Sequence, residues 1–115
     1  MPQQRRHTAV TGRVIIRPVL RHIVLFSFND PVAPAERAAL LDAIRGLRSK
    51  VPSVRSLELG ENIDAGGART YTHVAIATFD DREGYAAYLA HPEHAPVGVR
   101  LRELAARVQV ADLEV

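Results

Sequence analysis

The stretch from Arg21 to Phe28 is apolar on both sides, and this constrains the fold more than any other feature of the chain. Side chains alternate faces along a strand, so His22, Val24, Phe26 and Phe28 point one way and Ile23, Leu25 and Ser27 the other. A strand with one oily side can lie against water. This one needs cover above and below.

Patterns further along supply one of those covers. Leu40, Ile44, Leu47 and Val51 recur at helical spacing, with Leu41 widening the stripe, and predict a helix over Pro34–Lys50. Glu36 near its start and Arg45, Arg48 and Lys50 near its end suit the helix dipole, and Pro52 closes it. Val54–Glu61 and Tyr71–Phe79 alternate as strands around a loop that holds Gly66-Gly67. Asp80 and Glu83 have the spacing of a capping box before a short helix that carries Tyr85, Tyr88 and Leu89. Beyond Pro92, Val97, Leu101 and Leu104 mark another helical stripe, and Arg107–Val115 alternates as a last strand. The order predicts an α+β, ferredoxin-like βαββαβ domain, a four-stranded antiparallel sheet with helices on one face.

That arrangement leaves Ile23, Leu25, Val74 and Ile76 on the uncovered face. At ~25 cal/mol per Å² of apolar area, a wet patch of this kind forfeits several kcal/mol. The expected cover is a second sheet, in a homodimer packed through the sheet face. The alternative is a monomer whose own N-terminal leader folds over it.

With 115 residues, 47% hydrophobic and 24% charged, the chain has room for one core. No apolar run approaches the ~20 residues of a membrane span, so no membrane partner is expected. The absence of cysteine removes disulfides, zinc thiolates and a cysteine nucleophile, and fits a cytoplasmic location. The formal charge of +2 divides unevenly. Arg5, Arg6, Arg13 and Arg17 lie in residues 1–20 with no acid, leaving 11 basic against 13 acidic residues beyond, a net of −2. A nucleic-acid reader needs a basic face on the folded domain, and this division argues against one. Residues 1–19 read as a basic leader, disordered or forming an extra edge strand around Arg13–Arg17; residues 20–115 read as the domain. The leader lacks the apolar core and small-residue cleavage site of a secretory signal.

The chemistry-bearing residues gather between Tyr85 and Val97. Pro92 biases His91 away from helix and, with φ preset, suits the start of the next helix, which would carry Glu93 and His94. The resulting bend could aim Tyr88 and His94 at a common point. The face of the third strand that carries His73 also carries Ala75 and Ala77, small side chains for a sheet lying under helices. They predict an unfilled space, which His22, His73, Tyr88 and His94 could line together. Imidazole titrates near working pH and suits a general base, and a phenol can hold a developing oxyanion or orient the imidazole. Structural readings stand beside these: His22 bonding a loop carbonyl, His73 a satisfied core histidine, His91 a helix-end hydrogen bonder and the tyrosines plain core.

Arg21-His22-Ile23-Val24-Leu25-Phe26, Tyr71-Thr72-His73-Val74 and Tyr88-Leu89-Ala90-His91-Pro92-Glu93-His94 resemble the stress-responsive dimeric α/β-barrel (Dabb) family over residues 20–115. The resemblance implies a dimeric ferredoxin-like barrel. It also implies a possible activity, since a plant polyketide cyclase of this family closes a linear polyketide thioester by an aldol condensation without a cofactor. By position its catalytic histidine and tyrosine match His94 and Tyr88, and its further histidines match His22, His73 and His91. The resulting expectation is His94 as general base with Tyr88 as its partner, no cofactor, and an apolar small molecule as ligand.

Two other classes stay open. A non-catalytic dimer that binds an apolar metabolite or serves a stress response would carry the same residues. Metal binding through His91-x-x-His94 with His22, His73 or Glu93 is weaker, because helical ligand pairs favour i, i+4 and a proline intervenes; no metal site is expected. No Gly-x-Ser-x-Gly elbow or phosphate-binding glycine loop is present.

Overall fold

The computed structural model describes residues 9–11, 14–16, 18–64, 66–67 and 70–115. Ala9–Thr11 (β1) and Val14–Ile16 (β2) pair antiparallel in a small sheet of their own. The ends of the strand expected in the leader, Arg13 and Arg17, lie outside the described residues.

The main body runs β3 (Leu20–Phe28), α1 (Pro34–Lys50), β4 (Ser56–Glu61), β5 (His73–Phe79), α2 (Arg82–Ala90), α3 (His94–Leu104) and β6 (Ala105–Glu114). Its sheet has the order β4-β5-β3-β6 with every pair antiparallel. This is the predicted ferredoxin-like fold, with its second helical segment split in two. β3 lies in the interior of the sheet and pairs with β5 and β6 along its length. Its helix-facing Leu20, His22, Phe26 and Phe28 are buried. Ile23 and Leu25, on the opposite face, are half-buried.

The α1 stripe packs as its spacing requires, with Leu40, Ile44 and Leu47 buried and Val51 buried at the C-cap. These residues meet Phe26, Phe79 and Tyr88 in two adjoining apolar clusters under the helices. The cap of α2 differs from expectation. Asp81, not Asp80, accepts a hydrogen bond from the Gly84 N–H at 2.8 Å, while Asp80 faces Arg55 at 3.4 Å. The helix begins one residue later than an Asp80–Glu83 box requires, so that box does not form.

The Pro92 joint follows from local sterics. His91 ends α2 in extended backbone, φ −69° and ψ 135°, as a residue before proline prefers. Pro92 and Glu93 form a turn closed by the His94 N–H donating to the His91 carbonyl at 3.0 Å. α3 therefore starts at His94, two residues past the proline.

Candidate functional site

A cavity of about 280 Å³ lies between the sheet and the helices. That is just below the roughly 300–1,000 Å³ usual for ligand sites. Its sheet side includes His22 and Val24 on β3 beside Ala77 and Ala75, their register partners on β5. Two methyl groups here leave space that larger β-formers would fill. Tyr88 from α2 and His94 from α3 line the helix side.

The Pro92 turn brings Tyr88 and His94 into contact, with ring centroids 4.3 Å apart and planes inclined by 52°. Tyr88 is also packed against Phe79, centroid to centroid 5.1 Å, and is almost fully buried. Its hydroxyl makes no hydrogen bond with any described residue. Burial, then the neighbouring Tyr85, pushes the phenol up to about 12. It is a proton donor at neutral pH and does not ionise there. His94 is pushed the other way. Burial chiefly, then His22 and Arg102, lower its pKa, with the Leu89 backbone opposing. The Leu89 backbone favours the protonated ring, yet no hydrogen bond of ordinary geometry satisfies the buried Nδ1. Nε2 is thus the ring nitrogen left to meet a ligand.

A second polar group stands beside this pair. His22 Nδ1 lies 2.7 Å from the Asp112 carboxylate, and the Tyr85 hydroxyl donates to the other Asp112 oxygen at 3.2 Å. His22 and Asp112 are direct register partners on β3 and β6, which explains the short contact. Burial, then the Asp112 charge and hydrogen bond, pushes Tyr85 up to about 12. The His22 ring sits 5.0 Å from Tyr85 and 6.1 Å from Tyr88, so one carboxylate orients two rings next to the Tyr88–His94 pair.

The remaining histidines are placed differently. His73 stacks on Phe26 at 5.2 Å, meets Phe28 edge-on at 5.3 Å and contacts the Thr72 hydroxyl at 2.8 Å. It pairs with Phe26, whereas Ala77 pairs with His22, so three residues of β5 lie between His73 and Ala77 at the polar end. His91 Nδ1 accepts from the Glu93 N–H at 3.1 Å, bracing the turn into α3. Among the described residues, no three His, Asp or Glu side chains converge as a metal set would.

Two site residues were not singled out from sequence, Asp112 and Arg102. The alternation of the last strand puts Asp112 on the face of Val108 and Val110, an acid at the end of an apolar stripe, and that was the available signal. Arg102 lies eight residues beyond His94, two helical turns along the same face of α3.

Fold and site together define a ferredoxin-like α+β domain that keeps an apolar chamber under its helices, with a tyrosine and a histidine in contact on its wall. Residues 20–115 match the Stress responsive A/B Barrel Domain (Dabb) family, and the chain belongs to it. It is similar to an uncharacterized protein of Streptomyces coelicolor, 35% identical over 99 residues covering 84% of this chain and 99% of that one. It is also similar to olivetolic acid cyclase of Cannabis sativa, 22% identical over 80 residues covering 69% of this chain and 79% of the cyclase. Among solved structures, a dimeric ferredoxin-like protein of unknown function from Jannaschia sp. CCS1 superposes with a TM-score of 0.73. It is 25% identical, with 84% of this chain and 99% of that one covered.

Proposed function

We propose that this protein is a homodimer that binds a small apolar molecule in each chain and performs cofactor-free acid–base chemistry on it. In this reading His94 removes a proton from a carbon beside a carbonyl, and the Tyr88 hydroxyl donates to the oxyanion that develops. The observation that carries the reading is the 4.3 Å contact between those rings on the wall of an apolar cavity. The electrostatics support it. A histidine lowered by burial is neutral, and so able to accept a proton, at pH 7, and a phenol near 12 keeps its proton to donate. His22, fixed by Asp112, is a further polar group for a second oxygen of the ligand. Olivetolic acid cyclase, a relative by sequence, is named for ring closure, which in an aldol sense would need the same two roles. The dimer is supported by the half-buried Ile23, Leu25, Val74 and Ile76 on the face opposite the helices, and by the dimeric Jannaschia relative.

The test is exchange of the α-protons of 2-octanone in D2O, followed by proton NMR. The protein should accelerate exchange over buffer. His94→Ala should abolish the acceleration with an unchanged circular dichroism spectrum, and Tyr88→Phe should reduce it about 100- to 1,000-fold, the loss of one oxyanion donor. Exchange that survives His94→Ala would remove the histidine from its role. No acceleration by the wild type would leave ligand binding without catalysis.

A further inference from the structure

One lining residue has no part in that reading. Arg102 is the single fully charged side chain among the described residues that line the cavity. Its guanidinium lies over Gly98: a Cβ built there would sit 3.6 Å from Arg102 Nη1 and 3.9 Å from His94 Cε1. His94, Gly98 and Arg102 follow at i, i+4 and i+8, so they stack along one face of α3 with the glycine as a gap between imidazole and guanidinium. A glycine inside a helix is unfavourable by about 1 kcal/mol relative to alanine, and nothing about the backbone here calls for one, since its φ is not positive. The gap is the property it supplies.

Several other surface arginines are occupied, while Arg21 and Arg48, like Arg102, make no ion pair with a described residue. Arg45 meets Asp42, Arg55 meets Asp80, Arg82 meets Glu114, and Arg100 takes both Glu36 and Glu103. Arg102 has no ion pair or hydrogen bond with a described residue, although Glu103 is its chain neighbour. Helix geometry alone explains a cation in the last turn of α3, where it complements the dipole. It does not explain a guanidinium folded back over a glycine at a cavity. The nearby acid Asp112 is engaged by His22 and Tyr85 and is not among the residues that line the cavity, so Arg102 is the charge a ligand there would meet.

Building on the ligand-binding reading above, we infer that the natural ligand is amphipathic, an apolar body carrying one anionic head group, and that Arg102 binds the head across the Gly98 gap beside His94. A planar guanidinium grips a carboxylate or a phosphate through paired N–H donors. The apolar body then runs from the gap toward Ala75 and Ala77, within reach of Tyr88. This selects against neutral and cationic molecules of the same length.

Isothermal titration with octanoate, octyl phosphate and octanol tests it. At least one of the two anions should bind about tenfold more tightly than octanol, the worth of one charge-assisted contact, and which anion leads identifies the head group. Arg102→Gln should remove that preference, and Arg102→Lys should restore part of it. Gly98→Leu, which suits helix and fills the gap, should weaken all three. Anions bound no better than octanol, or a preference that survives Arg102→Gln, would overturn the assignment. Octanol that binds Gly98→Leu as well as wild type would instead place binding outside the cavity and overturn the ligand-site reading itself.

Discussion

His94 occupies a position where its charged form is penalised, and the consequence reaches beyond catalysis. Burial is the largest cause, with His22 and Arg102 adding to it. His73 is lowered as well, by burial first and by Arg37, against the raising effect of Glu61. Each of these groups takes a proton more readily in the unfolded chain than in the folded one. Their contribution to stability is therefore complete above the ordinary histidine value of about 6.5. It is lost as pH falls through that value toward the lower folded ones. Melting temperature should decline between pH 7.5 and pH 5, and His94→Asn should flatten part of the decline, leaving the His73 share. A wild-type midpoint level across that range would contradict this account. Tyr88→Phe removes a hydroxyl with no partner among the described residues, so its effect should fall on turnover far more than on stability.

At the scale of elements, α2 depends on its first turn. Asp81 accepts from Gly84 there, and among the described residues no second side-chain cap accompanies it. Asp81→Ala should cost about 1 kcal/mol in urea unfolding, whereas Asp80→Ala, removing an exposed contact with Arg55, should cost little. Sequence could not separate these two because adjacent aspartates both suit a cap, and the choice depends on where β5 releases the chain. Other elements were plain in the sequence. The α1 stripe fixed its buried face, the proline fixed the break after His91, and the alanines of β5 marked the space above them. Asp112 was not legible as a partner of His22, because their meeting depends on β6 register, set by pairing across a 90-residue separation. Arg102 reads in sequence as an ordinary last-turn cation. Only the fold shows which way its guanidinium turns.

For the whole molecule, the proposed dimer rests on the sheet face opposite the helices. Ile76 lies opposite Ile23 in the pairing of β3 with β5, in the middle of that face. Ile76→Glu should convert a two-chain species to a one-chain species in analytical ultracentrifugation, since a buried unpaired carboxylate at a dimer centre is strongly disfavoured. A wild-type protein that sediments as one chain, or a variant that still pairs, would remove the sheet-to-sheet dimer. The topology also orders events in time. β3 is made well before its neighbour β6, and His22 waits 90 residues for Asp112. At about 5–20 residues per second, a ribosome takes on the order of 5–20 seconds to deliver that carboxylate. Until then a strand oily on both sides has at least one open edge, an invitation to stray pairing between nascent chains. A product cut short before residue 105 would keep that edge bare for good, so truncated translation should yield aggregate instead of a weakened protein.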